Sequence, residues 1–200
     1  MTRKSKIVVL ISGNGSNLQS LLEGCHSQTI NGEIVAVVSN NPDAFGLKRA
    51  KTFGVNTIVI DENNYKIEKK DFHEKVYEVV KQFKPDLVIL AGYMKILTKS
   101  FISSFQDKII NIHRALLPKY GGKGMYGTHV HKAVKENHET ETGITIHYVN
   151  EAYDEGEVIF QAKVIIENED SIEIIASKVH KLEQANFPKV IQNLLNKDYS

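Results

Sequence analysis

The sequence predicts an α/β fold: a Rossmann-like, mostly parallel sheet with helices on both faces and an antiparallel C-terminal strand extension. Two observations predict the parallel part. Continuous apolar runs such as 6–12 (KIVVLIS) and 86–91 (DLVILA) recur along the chain, and segments with helical periodicity separate them. Strands apolar at every position are buried on both faces, as in a parallel sheet covered by helices. A third observation predicts the extension. Segments 143–149 (GITIHYV) and 157–167 (EVIFQAKVIIE) are joined across a turn at Asp154-Glu155-Gly156, and strands linked so closely are antiparallel.

In chain order, strand 6–12 is followed by the loop Gly13-Asn14-Gly15-Ser16-Asn17 and a helix from about Asn17 to Ser27. Strand 33–39 precedes a helix over about Ala44–Phe53, with Gly54 as its C-terminal stop. Strand 56–60 comes next, and then Phe72, Val76, Val79, Val80 and Phe83 mark a helix closed by Pro85. Strands 86–91 and 108–112 complete the parallel set, with a short helix near His129–Glu136 after a glycine-rich loop. In 143–149, Ile144, Ile146 and Tyr148 share one face, and Thr145, His147 and Val149 the other. Ser171 caps a last helix, which Pro188 is expected to kink or break. No repeat or linker interrupts the pattern, so residues 1–200 read as a single domain.

The chain has 200 residues, 42% hydrophobic and 24% charged, with a net charge of +1. That length buries roughly 70% of the unfolded surface without staples. The balanced charge predicts no general affinity for nucleic acid or membrane. The one cysteine, Cys25, offers neither an internal disulfide nor a metal cluster and is assigned to packing. No metal is expected. The start of the chain is too short in apolar residues for a signal segment, so a cytoplasmic protein is expected.

Three features carry chemistry. The loop Gly13–Asn17 joins a strand to a helix N-terminus, where unpaired N–H groups and the helix dipole suit a phosphate. A dinucleotide fingerprint would need glycine at position 18, which is Leu18, so a single phosphate group is favoured. Asn111 and His113, two apart at a strand's carboxyl end, project to the same side roughly 7 Å apart. They place an amide donor and an imidazole where open α/β sheets bind ligands. Asp154 supplies a turn carboxylate that can raise the pKa of a nearby imidazole and hold it as a cation.

The ordered series Gly13-Asn14-Gly15-Ser16-Asn17-Leu18, Leu90-Ala91-Gly92-Tyr93-Met94-Lys95-Ile96-Leu97, Asn111-Ile112-His113, Leu116-Leu117-Pro118-Lys119-Tyr120 and Asp154-Glu155-Gly156 resembles the glycinamide ribonucleotide transformylases, from about Lys6 to Leu195. Methionyl-tRNA formyltransferases and formyltetrahydrofolate deformylases share parts of it. They add a C-terminal or an N-terminal domain for which this length leaves no room. The resemblance implies formyl transfer from 10-formyltetrahydrofolate to 5-phosphoribosylglycinamide in purine (IMP) biosynthesis. These small molecules are the implied partners, in a monomer or homodimer. It implies a phosphate-binding half of about 1–100 and a folate and catalytic half of about 101–200.

It further implies Asn111, His113 and Asp154 as the catalytic trio, and Gly15, Ser16 and Asn17 at the substrate phosphate. Glu183 falls near the substrate amine. Met94, Lys95, Ile96 and Leu97 line the folate pocket, with Asn150, Glu151, Ala152 and Tyr153 in a folate loop and Lys69 as a basic folate contact. Arg114 departs from the pattern, which usually has Pro after the histidine; a cation there could lower the imidazole pKa and oppose Asp154, but alternation favours pointing it toward solvent. Gly121-Gly122-Lys123-Gly124-Met125-Tyr126-Gly127 reads as a mobile flap. Two other readings stay open: a nicotinamide oxidoreductase, disfavoured by Leu18 and by Ser39-Asn40-Asn41 at the second strand's end, and a non-catalytic folate or phosphate binder.

Overall fold

The computed structural model describes residues 3–68, 71–152 and 154–197. Lys69 and Tyr153, both expected at the folate site, lie outside the described residues. The elements follow in the order β1 (Ser5–Ile11), α1 (Ser16–His26), β2 (Gly32–Ser39), α2 (Phe45–Thr52), β3 (Thr57–Val59), α3 (Glu62–Glu68), α4 (Phe72–Gln82), β4 (Leu87–Leu90), α5 (Lys99–Ser104), β5 (Ile109–His113), α6 (Thr128–Glu136), β6 (Glu141–Tyr148), β7 (Val158–Ile165) and α7 (Ile172–Lys197). The described strands form one seven-stranded sheet in the order β3-β2-β1-β4-β5-β6-β7. The pairs from β3 through to β5 are parallel, and β6 and β7 are antiparallel.

Period-two alternation divides the core. Ile7, Val9 and Ile11 of β1 pack on one face with Leu18 and Leu21 of α1 and with Val179, Phe187 and Ile191 of α7. Val8 and Leu10 turn to the other face, against Val76 and Val80 of α4 and Phe101 of α5. Each such aliphatic side chain contributes about 1.5–3 kcal/mol by leaving water. The sheet is therefore covered on both sides. Cys25 packs against the first of these clusters, and burial pushes its thiol up to about 11, consistent with the packing role.

Helix α7 runs through Pro188 without ending there, so the expected break does not occur. The proline removes one helical hydrogen bond. Phe187, Val190, Ile191 and Leu194 all bury into the core on either side of it, and that packing carries the helix past the proline.

Chain order reverses between β1 and β4. The chain runs outward through β2 and β3 and returns to place β4 beside β1. A crevice opens at the carboxyl ends of strands flanking such a reversal. In this molecule it receives the loop after β1, the segment after β4 and the end of β5.

Candidate active site

A cavity of about 570 Å³ occupies that crevice, bordered by the Gly13–Asn17 loop, Leu90–Leu97, Asn111–Arg114, part of the 121–127 loop and Asn150–Ala152 with Asp154. Its phosphate-like end is built by close packing. Gly15 precedes α1 with φ 72°, and a Cβ on it would stand 2.7 Å from the Gly46 Cα, so only glycine fits between the loop and α2. No side chain caps α1, and no acidic residue lies in its first turn. The positive helix end thus faces the cavity with N–H groups available to an anion.

Ser12 fixes the segment after β4. Its Oγ donates to Asn40 Oδ1 (2.5 Å) and accepts the Met94 N–H (2.8 Å), while the Ser12 N–H donates to the Gly92 carbonyl (3.2 Å). Met94 and Ile96 are left 55% and 57% exposed at the rim. Paired large apolar side chains in the open suit a flat aromatic ligand better than solvent. Lys95 Nζ pairs with Glu62 (2.5 Å), and Lys99 with Glu151 (2.7 Å).

The chemical centre forms where β5 pairs with β6. Asn111 stands opposite His147 in the antiparallel register, and Ile110 and Ile112 turn into the core as alternation requires. Asp154 adopts φ 55° in the turn before β7, a left-handed conformation that aspartate tolerates. The turn is tight, since a Cβ on Gly156 would lie 1.6 Å from the Tyr148 carbonyl oxygen. Asp154 Oδ2 accepts the Gly122 N–H (3.0 Å) and lies 3.7 Å from His113 Nδ1. Its Oδ1 lies 3.4 Å from Asn111 Nδ2 and 3.6 Å from His147 Nε2.

Hydrogen-bond partners decide which ring atoms are available. His113 Nε2 donates to the Tyr120 carbonyl at 2.7 Å, so Nδ1 is the edge left toward Asp154. His147 Nδ1 donates to its neighbour's carbonyl, that of Tyr148 (2.8 Å), and its Nε2 lies 3.1 Å from Asn111 Nδ2 and 3.6 Å from Asp154 Oδ1. The second Asn111 Nδ2 hydrogen has only the long contact to Asp154. It is the one free to turn to a ligand oxygen. Sequence reasoning places His147 on one face of a strand and goes no further. The signal that could find it is its alternation with Thr145 on a strand that pairs with β5.

The His113 pKa corrects an expectation. Burial pushes it down. Asp154 and the Tyr120 carbonyl push it up, His147 opposes them, and the balance lies below the ordinary histidine value. Asp154 favours the cation without fully restoring it. Its own carboxyl is raised by burial but brought below its ordinary value by His147, His113 and the Gly122 N–H, so it is ionised.

Arg114 corrects a second expectation. Strand β5 ends at His113, so alternation no longer governs the next residue. Arg114 Nε donates to Glu183 Oε1 at 3.0 Å. Glu183, fully buried on α7, also accepts from Asn17 Nδ2 (2.8 Å) and contacts His180 Nδ1 (3.3 Å). Burial raises the Glu183 pKa, but these partners outweigh it and keep the carboxylate ionised. Glu183 thereby joins the loop after β1 to the end of β5.

His131 on α6 lies beside this network. It is 1% exposed, and neither ring nitrogen has a hydrogen-bond partner among the described residues. Burial, then Arg114, pushes its pKa down to about 4. A folded-state pKa below the unfolded value means that the unfolded chain takes up the proton first. Stability should therefore be full above about pH 6.5 and fall as pH drops toward about 4, by about 3 kcal/mol. His131→Leu should flatten this dependence. Thermal midpoints of both proteins between about pH 7.5 and 4.5 check it, spanning the ordinary histidine range, and equal slopes would contradict it.

The family model described as formyl transferase matches residues 5–191. The chain belongs to the formyl transferase family. It is 41% identical over 185 residues to the phosphoribosylglycinamide formyltransferase of Escherichia coli, covering 92% of this chain and 84% of that protein. It is 42% identical to the enzyme of the same name from Haemophilus influenzae, covering 94% of this chain and 85% of that one. Among solved structures, glycinamide ribonucleotide transformylase 1 from Symbiobacterium toebii superposes with a TM-score of 0.88 at 33% identity, covering 96% of this chain and 88% of that one. This chain is accordingly an enzyme of the formyl-transferring class that serves purine biosynthesis. Among the described residues no helix is long and apolar enough to cross a membrane, and no cluster of three metal-ligating side chains occurs.

Proposed function

We propose that this formyltransferase moves the formyl group of 10-formyltetrahydrofolate onto the amine of 5-phosphoribosylglycinamide by direct attack, with Asn111, His113 and Asp154 at the reacting carbon. The observation that carries the reading is the convergence of an uncapped helix N-terminus and an Asn/His/Asp cluster in one cavity. Gly15, Ser16 and Asn17 take the ribonucleotide phosphate. Met94, Lys95, Ile96 and Leu97 face the folate ring, whose flat surface suits the exposed Met94 and Ile96. Asn150, Glu151 and Ala152 flank it. Glu183, between the phosphate loop and His113, lies alongside the glycinamide portion. The chain divides functionally into a phosphate half of about 1–100 and a catalytic half of about 101–200.

The amine lone pair attacks the formyl carbon, and the carbonyl oxygen becomes an oxyanion. Asn111 Nδ2–H and the protonated His113 Nδ1–H donate to it, and Asp154 stabilises the imidazolium. The attacking nitrogen gives up a proton to a cavity water, which returns it to His113 or to the leaving nitrogen. The C–N bond to the folate breaks, and that nitrogen leaves with a proton delivered by His113 or a water. No covalent enzyme intermediate is required.

Steady-state turnover with these two substrates tests the reading, and no transfer to the ribonucleotide would overturn it. Ser16→Asp should test the phosphate end separately, because it sets a carboxylate where the anion binds. Calorimetric titration should show ribonucleotide affinity lost and folate affinity kept. A parallel fall in both affinities would remove the phosphate assignment.

A further inference from the structure

We propose that Arg114 is a substrate-binding residue whose terminal guanidinium nitrogens hold the phosphate of the ribonucleotide, as the cationic partner of the Gly15–Asn17 loop. The proposal rests on the reaction assigned above and adds a residue to it. Arg114 borders the cavity with a side chain 36% exposed. Its Nε is spent on Glu183 Oε1, the same oxygen that accepts from Asn17 Nδ2. One carboxylate oxygen therefore holds the guanidinium beside the second residue of α1, the helix whose open end forms the phosphate loop.

The guanidinium is a rigid planar fork. With Nε engaged, each terminal amino group keeps one N–H on the end of the guanidinium opposite Nε. Neither has a hydrogen-bond partner among the described residues, although Nε is fully committed. Serving as counter-ion to Glu183 would leave those N–H groups without a purpose at the wall of a ligand cavity. A phosphate has the matching oxygens and charge for bidentate binding.

Other described cations fit the role less well. Arg49 packs under the loop, but its nitrogens go to the Asn14 carbonyl, Asn14 Oδ1 and Gln19. Lys95 borders the cavity and pairs with Glu62. Lys123 also borders it, from the 121–127 loop, with no link to α1. Arg114 is tied to the phosphate loop through a buried, ionised anchor.

The experiment compares wild type, Arg114→Met and Arg114→Lys with two acceptors: 5-phosphoribosylglycinamide and its riboside lacking phosphate. Loss of charge-assisted hydrogen bonds should raise KM for the phosphorylated acceptor about 10- to 100-fold in Arg114→Met. The kcat and the KM for the formyl donor should change little. Arg114→Lys, which keeps the charge without the fork, should fall between. For the riboside, kcat/KM should fall by much less than for the phosphorylated acceptor, the remainder reflecting the Glu183 carboxylate that Arg114 holds. An equal fall for both acceptors would overturn the proposal, because it would place the effect on Glu183 or the fold. Unchanged kinetics for both acceptors would overturn it as well. If Arg114→Met does not fold, the same comparison is read from Arg114→Lys. No transfer by the wild type to the phosphorylated acceptor would instead refute the underlying reaction.

Discussion

His113→Ala is expected to lower kcat by about 10³-fold or more while leaving the thermal midpoint and ribonucleotide affinity close to those of the wild type. Removing one preorganised oxyanion donor costs about 10²–10³ in rate, and His113 is also placed to pass the proton to the leaving nitrogen. Asn111→Ala, which removes a donor alone, should lose about 10²–10³. His113 ends β5 and is 7% exposed, but among the described residues its side chain hydrogen-bonds only to the Tyr120 carbonyl at 2.7 Å. Truncation therefore leaves one loop acceptor to be rehydrated from the cavity and does not dismantle the sheet. Turnover within tenfold of wild type would sink the assignment.

The second large effect belongs to Asp154→Asn. The amide preserves the shape and can still accept the Gly122 N–H, but the charge is gone. In the wild type, burial lowers the His113 pKa and the Asp154 carboxylate opposes it. Without that charge the pKa falls further. The imidazolium is the required form, so the limb of the pH–rate profile that reports it should move to lower pH. Above the pKa, making the imidazolium a tenfold stronger acid leaves about one-tenth of the cation, a difference of about 1.4 kcal/mol. Neutral-pH turnover should drop at least tenfold, with a smaller change in substrate binding. NMR titration of His113 alongside the rate profile checks this, and an unmoved His113 pKa would refute the electrostatic role even in a slow variant.

The placement of Asn111 and His113 was legible because strand alternation is strict. With Ile110 and Ile112 apolar, Asn111 and His113 had to share the opposite side, and the strand's carboxyl end pointed to a ligand. The long apolar strands made the sheet legible for the same reason. What was not legible came from tertiary register. His147 joins the site only because β5 and β6 pair antiparallel with Asn111 opposite it. The Tyr120 carbonyl that orients His113 carries no side-chain signal at all. Arg114 was misplaced because alternation was extended one residue past the strand's end. The depressed His113 pKa follows from burial, which a pairwise argument from Asp154 does not contain. Helices α3 and α5 were not foreseen: they have 7 and 6 residues, too few for a repeating apolar stripe.

The central claim is direct transfer at the Asn111/His113 centre, and following the formyl carbon itself tests it most directly. The protein is mixed with 5-phosphoribosylglycinamide and 10-formyltetrahydrofolate labelled at the formyl group, and the label is traced by mass spectrometry through one turnover. The predicted result is label on the glycinamide nitrogen, none on the protein at any time, and transfer about 10³-fold slower or more by His113→Ala. Label that passes through a protein side chain, or equal transfer by His113→Ala, would contradict it.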